Sequence, residues 1–406
     1  MHHMSRTALP AKFVANAAVT LALVCLSASA QANGYSVLYA FQGGNDGAWP
    51  IAGLVRSSGD LYGTTSAGGS TGCGGAGCGT IFRLRGNKEA VIHSFTGGND
   101  GAYPYAALIA DSNGNLFGTT YQGGSASCSV YGCGTIFEVT PDDGETILYS
   151  FKGGNDGAYP YASLTIDAAG NLYGTTAWGG AYGKGTVFEL APDGTETVLH
   201  AFVSSDDGRH PYGGVVVDSE GNLYGTTYRG GGHSVGSVFE LAPDGTESFL
   251  HRFRTKNDGT NPYSAMIMDN EGNLYGTTVE GGSLNCTGSG CGTIFRIKPD
   301  GTETIYPLKG PSGGSQPFGG VLLDGTGYFF GTANGGGSSG LGVVFRMSSA
   351  GAERVLHNFA GGQDGSYPYG GVVMDKKGDL YGTTTFGGNG AGCANTGCGV
   401  VFEVSR

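Results

Sequence analysis

Asn171-Leu172-Tyr173-Gly174-Thr175-Thr176 and Gly185-Thr186-Val187-Phe188-Glu189-Leu190 read as two short strands joined by a Gly-rich loop. Before them, Ala162-Ser163-Leu164-Thr165-Ile166-Asp167 reads as another strand. It is linked by the turn Asp167-Ala168-Ala169-Gly170-Asn171, where Gly supplies positive φ. After them, the turn Ala191-Pro192-Asp193-Gly194-Thr195 leads into a fourth strand, Thr197-Val198-Leu199-His200-Ala201-Phe202. One such meander is too small to bury its own apolar faces and needs neighbours.

The neighbours are in the sequence. The aromatic residue of Leu-Tyr-Gly-Thr-Thr returns as Tyr62, Phe117, Tyr173, Tyr224, Tyr275, Phe330 and Tyr381, at intervals of 55, 56, 51, 51, 55 and 51. Seven units of four strands predict an all-β, seven-bladed β-propeller with four-stranded blades. The expected blades run 48–95, 102–151, 158–202, 209–253, 260–309, 316–359 and 366–406, the last completed by 35–41. Tyr35-Ser36-Val37-Leu38-Tyr39-Ala40-Phe41 is a lone fourth-type strand, and the chain ends on a third-type strand, Val400-Val401-Phe402-Glu403-Val404. The two termini therefore complete one sheet. An open solenoid would need capping repeats, and none is recognisable.

Composition agrees. Gly accounts for 81 of 406 residues, which excludes a helical bundle, and it shows no collagen-like period. The 22 Tyr and 20 Phe argue for a packed core. A net charge of −12 excludes a nucleic-acid partner, which would need a basic footprint.

Arg6 and Lys12 precede an apolar run over 13–26 and a small-residue cleavage site, so 1–32 is expected to be a secretory signal, leaving 33–406 as the propeller. No later stretch is apolar enough to span a bilayer. Cys25 leaves with the leader. The other eight cysteines pair by spacing as Cys73/Cys78, Cys128/Cys133, Cys286/Cys291 and Cys393/Cys398, each just before the third strand of its unit. An even count in an exported chain predicts four local disulfides, in a periplasmic or extracellular setting. Units with a Cys pair carry about five extra loop residues, so each bridge staples an insertion.

The consensus Leu-Tyr-Gly-Thr-Thr-x-x-Gly-Gly, Gly-Thr-Val-Phe-Glu-Leu and Pro-Asp-Gly-Thr-Glu resembles the GloVer-type tandem repeats of bacterial exported proteins across nearly all of 35–406. The resemblance implies an exported or surface-displayed repeat protein. It brings no established activity, cofactor or catalytic residue.

With the first strand innermost, the long loops between second and third strands share a rim with those joining successive blades. Loops on a rigid scaffold carry function, so any binding surface is expected there, on the rim stapled by the disulfides. The two residues before Gly-Gly vary between units. Among them Tyr121, Trp178, Tyr228 and Phe386 offer aromatic faces, while Gln122, Arg229 and Glu280 offer polar contacts. That mixture fits sugar rings, which stack through C–H faces and need partners for their hydroxyls. A second aromatic series, Trp49, Tyr103, Tyr159 and Tyr367, stands two residues before the position of Tyr105, Tyr161 and Tyr369 and is expected on one strand face with them; Tyr212, Tyr263 and Phe318 continue the inner position, packing between blades or lining the channel mouth.

Chemical sites are sparse. Asp46, Asp100, Asp156, Asp207, Asp258 and Asp364 recur before Gly and are weak candidates for a hard cation, because Asn-Asp-Gly is also an ordinary turn. His93, His200, His251 and His357 alternate with Tyr and read as packing residues. Only the fourth unit gathers Arg209, His210, Arg229 and His233 on the working rim, a weak candidate for proton abstraction beside a carboxylate. No cofactor is expected. The leading function is a secreted propeller that binds an extracellular ligand, most plausibly glycan. The alternatives are a polysaccharide lyase or hydrolase centred on the fourth blade, and a surface scaffold for a protein partner.

Overall fold

The computed structural model describes residues 34–406 except 126, 129, 130, 205, 255, 256, 283, 284 and 287, so the expected leader, with Cys25, lies outside the described residues. Seven antiparallel sheets of four blade strands, one of them extended by a short fifth strand at Thr260–Pro262, follow one another around a ring, forming a seven-bladed propeller with no α-helix among the described residues. Strands are lettered A to D outward from the axis. Blade 3 is built from A (Thr165–Ile166), B (Leu172–Thr176), C (Thr186–Leu190) and D (Glu196–Ala201). In blade 7, D is Tyr35–Ala40, antiparallel to Val400–Val404, with Tyr35 opposite Val404.

The repeat consensus has a packing reason at each letter. The Gly of Leu-Tyr-Gly-Thr-Thr lets the strand C Phe lie across strand B: a Cβ on Gly174 would stand 2.5 Å from Phe188 Cζ. The Gly before strand C serves differently. Gly185 sits at φ 105°, and a Cβ there would meet Pro211 of the next blade at 2.7 Å. The first Thr of the pair bonds across the seam, as Thr175 Oγ1 does to the Gly213 carbonyl at 3.0 Å. The second bonds within its blade, as Thr176 does to Thr186 at 2.8 Å. The Phe ending strand D packs edge-on against the next blade's strand C Phe: Phe41 on Phe82 at 5.1 Å, Phe151 on Phe188 at 5.2 Å. Such pairs add roughly 0.5–1.5 kcal/mol beyond burial. The same contacts close the ring, since Thr383 reaches the Ala52 carbonyl at 2.8 Å and Phe359 packs on Phe402 at 5.3 Å.

All four expected disulfides are present: Cys73–Cys78, Cys128–Cys133, Cys286–Cys291 and Cys393–Cys398. They lie on one rim. Gly69 of a B-to-C loop donates to Gly44 of a D-to-A loop at 2.7 Å, and Gly388 donates to Gly362 at 2.8 Å. A Cβ on Gly43, Gly97, Gly153 or Gly310, all in D-to-A loops, would meet a cystine sulfur within 3.3 Å.

The bridges brace that rim from beneath its surface. Cys78, Cys133, Cys291 and Cys398, the second member of each pair, are fully buried at 0% exposure. Cys291 packs in the core with Ile294, Leu308 and Phe329, and Cys398 in the core with Phe41, Phe82 and Val401. Each of the four lies one residue before the Gly that leads into strand C, so the strand carries it inward with the apolar face of the blade. The cystines are therefore core anchors for the loops and present no inner sulfur to a ligand. The opposite rim holds tight Asx turns, such as Asp167 Oδ1 accepting from the Ala169 and Asn171 amides at 2.9 Å.

Candidate functional site

The rim bearing the disulfides leads into the central channel through one repeated backbone device. Trp49, Tyr103, Tyr159, His210, Asn261, Gln316 and Tyr367 each precede a Pro, and all seven take positive φ, between 55° and 61°. A residue before Pro normally prefers extended backbone, and the left-handed conformation costs a non-Gly residue roughly 1–2 kcal/mol. Each is held at both ends. Its amide donates to a carbonyl of the preceding blade, as Tyr159 does to Cys133 at 2.7 Å, Gln316 to Cys291 at 2.8 Å and Trp49 to Cys398 at 2.8 Å. Where the preceding blade has no disulfide another residue takes that part, as Lys184 does for His210 at 2.8 Å. In six of the blades a residue after strand B donates to the carbonyl of the left-handed residue, as Tyr228 does to His210 at 3.1 Å and Asn334 to Gln316 at 3.1 Å. Trp49, Tyr103, Tyr159 and Tyr367 do not lie in strands as expected, because the left-handed residue breaks strand alternation, although the Tyr103 and Tyr105 rings still stack at 6.1 Å.

Beyond each Pro the chain turns into the channel. Tyr105, Tyr161, Tyr212, Tyr263, Phe318 and Tyr369 fill its centre, with Tyr161 to Tyr263 at 5.6 Å, Tyr212 to Tyr263 at 5.2 Å and Phe318 stacked on Tyr369 at 4.4 Å. Burial, reinforced by the neighbouring phenols, pushes Tyr105 up to about 12 and raises Tyr161 and Tyr263 further. These hydroxyls stay neutral at ordinary pH, and those of Tyr161, Tyr263 and Tyr369 hydrogen-bond one another. Small residues such as Gly53, Ser163, Gly214 and Gly371 lie beyond them, around a cavity of about 270 Å³.

The variable residues fall into two sets. Tyr121 and Tyr228 form the wall of the mouth. Tyr121 stacks on Tyr159 at 5.0 Å and packs on Tyr105 at 5.3 Å, while Tyr228 packs on Tyr212 at 5.3 Å. Gln122, Trp178, Arg229, Glu280 and Phe386 instead belong to a short rim ladder, opposite Ala102, Ala158, Arg209, Thr260 and Ser366. Trp178 is 43% exposed and lies 4.1 Å from the His210 ring, and Phe386 packs edge-on against Tyr367 at 6.0 Å.

Blade 4 brings together part of what its sequence offers. His210 Nδ1 bonds to the Ala177 carbonyl at 2.9 Å, so Nδ1 carries the proton and Nε2 is the free acceptor. Burial first, then Arg209, Lys184 and Arg229 nearby, depress its basicity despite the Ala177 bond. His233 is exposed, and among the described residues no hydrogen bond or ion pair joins it to His210 or Arg229.

The six aspartates are committed to the seams. Asp46 caps the Gln42 amide at 2.5 Å and accepts from the Tyr39 hydroxyl at 2.6 Å, and Asp100 caps Thr96 at 2.6 Å and meets His93 at 3.0 Å. The strand D His and Tyr are thus partners of these carboxylates. Sequence reading missed the third member, a Glu opening the next blade's strand D. It gives His93/Asp100/Glu145, His200/Asp207/Glu247 and His251/Asp258/Glu303, each with ligand-type atoms within 4.8 Å. Burial, then the adjacent Asp, raises Glu89 and Glu196 to about 7 and Glu247 and Glu303 to about 9. Asp207 is raised by burial but brought down to about 2 by bonds from His200, Glu247 and the Val203 amide. Each such Glu is thereby favoured in its protonated form, the form that can donate to its Asp. Recurrence of Glu after Asp-Gly-Thr was the available signal.

The fold is shared with proteins of very different sequence. The extracellular domain of a protein classed as a one-component system from B. thetaiotaomicron aligns with a TM-score of 0.55 and 11% identity, over 93% of this chain and 40% of its own. PorZ, an essential bacterial surface component of the type-IX secretion system of Porphyromonas gingivalis, aligns at 0.50 and 17%, over 90% of this chain and 46% of its own. A protein assigned as a 6-phosphogluconolactonase from Bacteroides uniformis aligns at 0.51 and 15%, over 81% and 88%. The chain thus spans less than half the length of the first two. No curated protein matches the sequence. The four disulfides fit an exported protein, and no helix among the described residues is long and apolar enough to cross a membrane. The Gloeobacter/Verrucomicrobia repeat model matches residues 24–130, 125–290 and 249–406, and the chain belongs to that repeat family.

Proposed function

We propose that this chain is exported and binds an extracellular glycan over the aromatic mouth of its channel. One observation carries the reading. In a chain of 81 glycines, none of the seven left-handed positions at the mouth is Gly, although Gly would adopt that backbone without strain. They hold Trp, Tyr, His, Asn and Gln instead, side chains that stack on sugar rings or bond hydroxyls. Strain kept at a cluster of sites is a pointer to function. The expected leader and the disulfide-braced rim support a periplasmic or extracellular setting.

The test is calorimetric titration against a glycan panel, with Trp178→Ala and Tyr228→Ala beside the parent. Both changes keep the scaffold, because Ala67 and Ala177 occupy those positions in other blades. A loss of tenfold or more in affinity is expected for each, and unchanged affinity in both refutes the site. A second reading, catalysis on a polyuronate, is favoured by the uncharged His210 with its free Nε2. It predicts unsaturated-product absorbance that disappears in His210→Ala.

A further inference from the structure

The rim ladder carries its positive charge in one sector, blade 4, with Glu280 of blade 5 as its acidic member. In the rim ladder, the residue before the left-handed position is Ala48, Ala102, Ala158, Thr260, Ser315 or Ser366 in six blades. In blade 4 it is Arg209, paired directly with Arg229 through backbone bonds of 2.9 and 3.2 Å. Residues directly opposite in an antiparallel ladder project to the same face with Cβ atoms about 5 Å apart, and like charges so placed repel.

Their charge is not balanced from within. Among the described residues no carboxylate lies within ion-pair distance of Arg209, Arg229 or Lys184. The Arg209 Nε is buried without a hydrogen-bond partner. The Arg229 guanidinium lies 5.3 Å from the centre of the Tyr228 ring, and Trp178 presents an exposed face across His210. In a chain of net charge −12, an unpaired diarginine beside exposed aromatic faces is a built asymmetry.

We infer that Arg209 and Arg229 form a carboxylate subsite, and that the glycan taken by the mouth is acidic, a uronate-containing chain. This rests on the glycan reading above. A planar carboxylate presents two oxygens to guanidinium forks and relieves their repulsion. The sugar ring bearing it stacks on Trp178 and Tyr228.

The experiment titrates the folded, disulfide-intact protein with trigalacturonate and with its fully methyl-esterified form, at low and at physiological salt. The acid is expected to bind at least tenfold more tightly than the ester, with a preference that shrinks as salt rises. Arg209→Ser installs the residue found at this position in blades 6 and 7. It should bring the acid-to-ester ratio close to one and leave the melting temperature unchanged or raised, since a repulsion is removed. Equal binding of acid and ester by the parent, or an unchanged ratio in Arg209→Ser, overturns the carboxylate subsite while leaving the glycan reading standing. Binding of neither overturns both. An equally tight complex with polyglutamate of matching charge overturns the assignment to a sugar.

Discussion

Gly174→Ala tests whether the repeat glycine of strand B is there for packing. Its φ lies outside the left-handed region, so backbone conformation does not require Gly. A Cβ would stand 2.5 Å from Phe188 Cζ, 2.9 Å from Leu164 Cδ2 and 3.0 Å from Phe188 Cε1. Phe188 is fully buried and already locked edge-on against Phe151. Relief therefore needs a shift of about 1 Å in a close-packed seam, and overpacking of that kind costs roughly 1–3 kcal/mol. Gly331 in blade 6 is the internal control. There a Cβ would be 3.0 Å from Phe345 Cζ and 3.6 Å from Val321 Cγ1, a shift of only a few tenths of an ångström. Ala in place of Gly within a strand also gains roughly 0.5–1 kcal/mol in backbone terms. The expected net result by urea unfolding, with the disulfides intact, is a loss of about 2 kcal/mol for Gly174→Ala and a change within about 1 kcal/mol for Gly331→Ala. Phe188→Leu should partly rescue Gly174→Ala, giving a non-additive double mutant. Equal losses at both glycines, or additivity with Phe188→Leu, refute the packing explanation.

A second internal comparison concerns seam hydrogen bonds. Thr175→Val should lose about 1 kcal/mol with its bonds to the Pro211 and Gly213 carbonyls, whereas Thr226→Val, whose buried hydroxyl has no partner, should be neutral or stabilising by the same unfolding assay. Replacing Cys73 and Cys78 by Ala opens a small ring, and the chain-entropy model gives a loss of about 2 kcal/mol, read from the shift in urea midpoint. Stability should fall as pH rises from about 5 to 9. The folded state keeps protons on Glu89, Glu196, Glu247 and Glu303 that the unfolded chain has released, and the clasp is lost as these groups titrate near 7 and 9. Below about pH 4 the sign reverses. The unfolded chain then takes up a proton at Asp207 that the folded state, holding this carboxyl down to about 2, does not bind, so stability falls with pH. Melting curves across pH check both limbs, and Glu247→Gln, which keeps a donor toward Asp207, should flatten the alkaline one.

The seven-fold ring was legible because its determinants are local and periodic. Leu-Tyr-Gly-Thr-Thr, the Asp-x-x-Gly-Asn turns and the lone strand over Tyr35–Ala40 fix strand number, rim and closure without reference to distant residues. Features built across a seam were not legible. Glu353 shows why. Blade 6 has Gly313 where the others have Asp, and Glu353, 40 residues on, supplies the missing carboxylate. It accepts from Lys309 and Gly314 amides at 2.8 and 2.7 Å. A Cβ on Gly313 would stand 2.4 Å from Glu353 Oε1, so the absence of a side chain there and the presence of the Glu are one feature. The cystines divide in the same way. Their pairing is local and follows from spacing, but the burial of Cys291 and Cys398 depends on neighbours such as Phe329 and Phe82, which come from the adjoining blade. The left-handed residues were hidden for a related reason. X-Pro ordinarily signals extended backbone, and only the bond to the preceding blade's carbonyl overrides it.

That override separates what the mouth must be from what it can vary. The backbone at each of the seven positions is held by its own N–H, bonded to the blade before, and by the Pro that follows it, wedged against that blade's Gly. The side chain takes no part in either contact. It is therefore free to be Trp, Tyr, His, Asn or Gln at constant φ, and the same holds for the rim-ladder partners, from Ala67 to Trp178 and Arg229. A scaffold of this kind presents a ring of interchangeable side chains on a fixed backbone, so specificity changes by point substitution without rebuilding a blade. Blades 2 to 4 concentrate Tyr103, Tyr121, Tyr159, Trp178 and Arg229, while blade 6 carries Gln316, Asn334 and Gly335. If the mouth were retained only for packing, the seven-fold scaffold would favour one side chain at all seven positions. The uneven distribution around an even scaffold is what an asymmetric ligand requires.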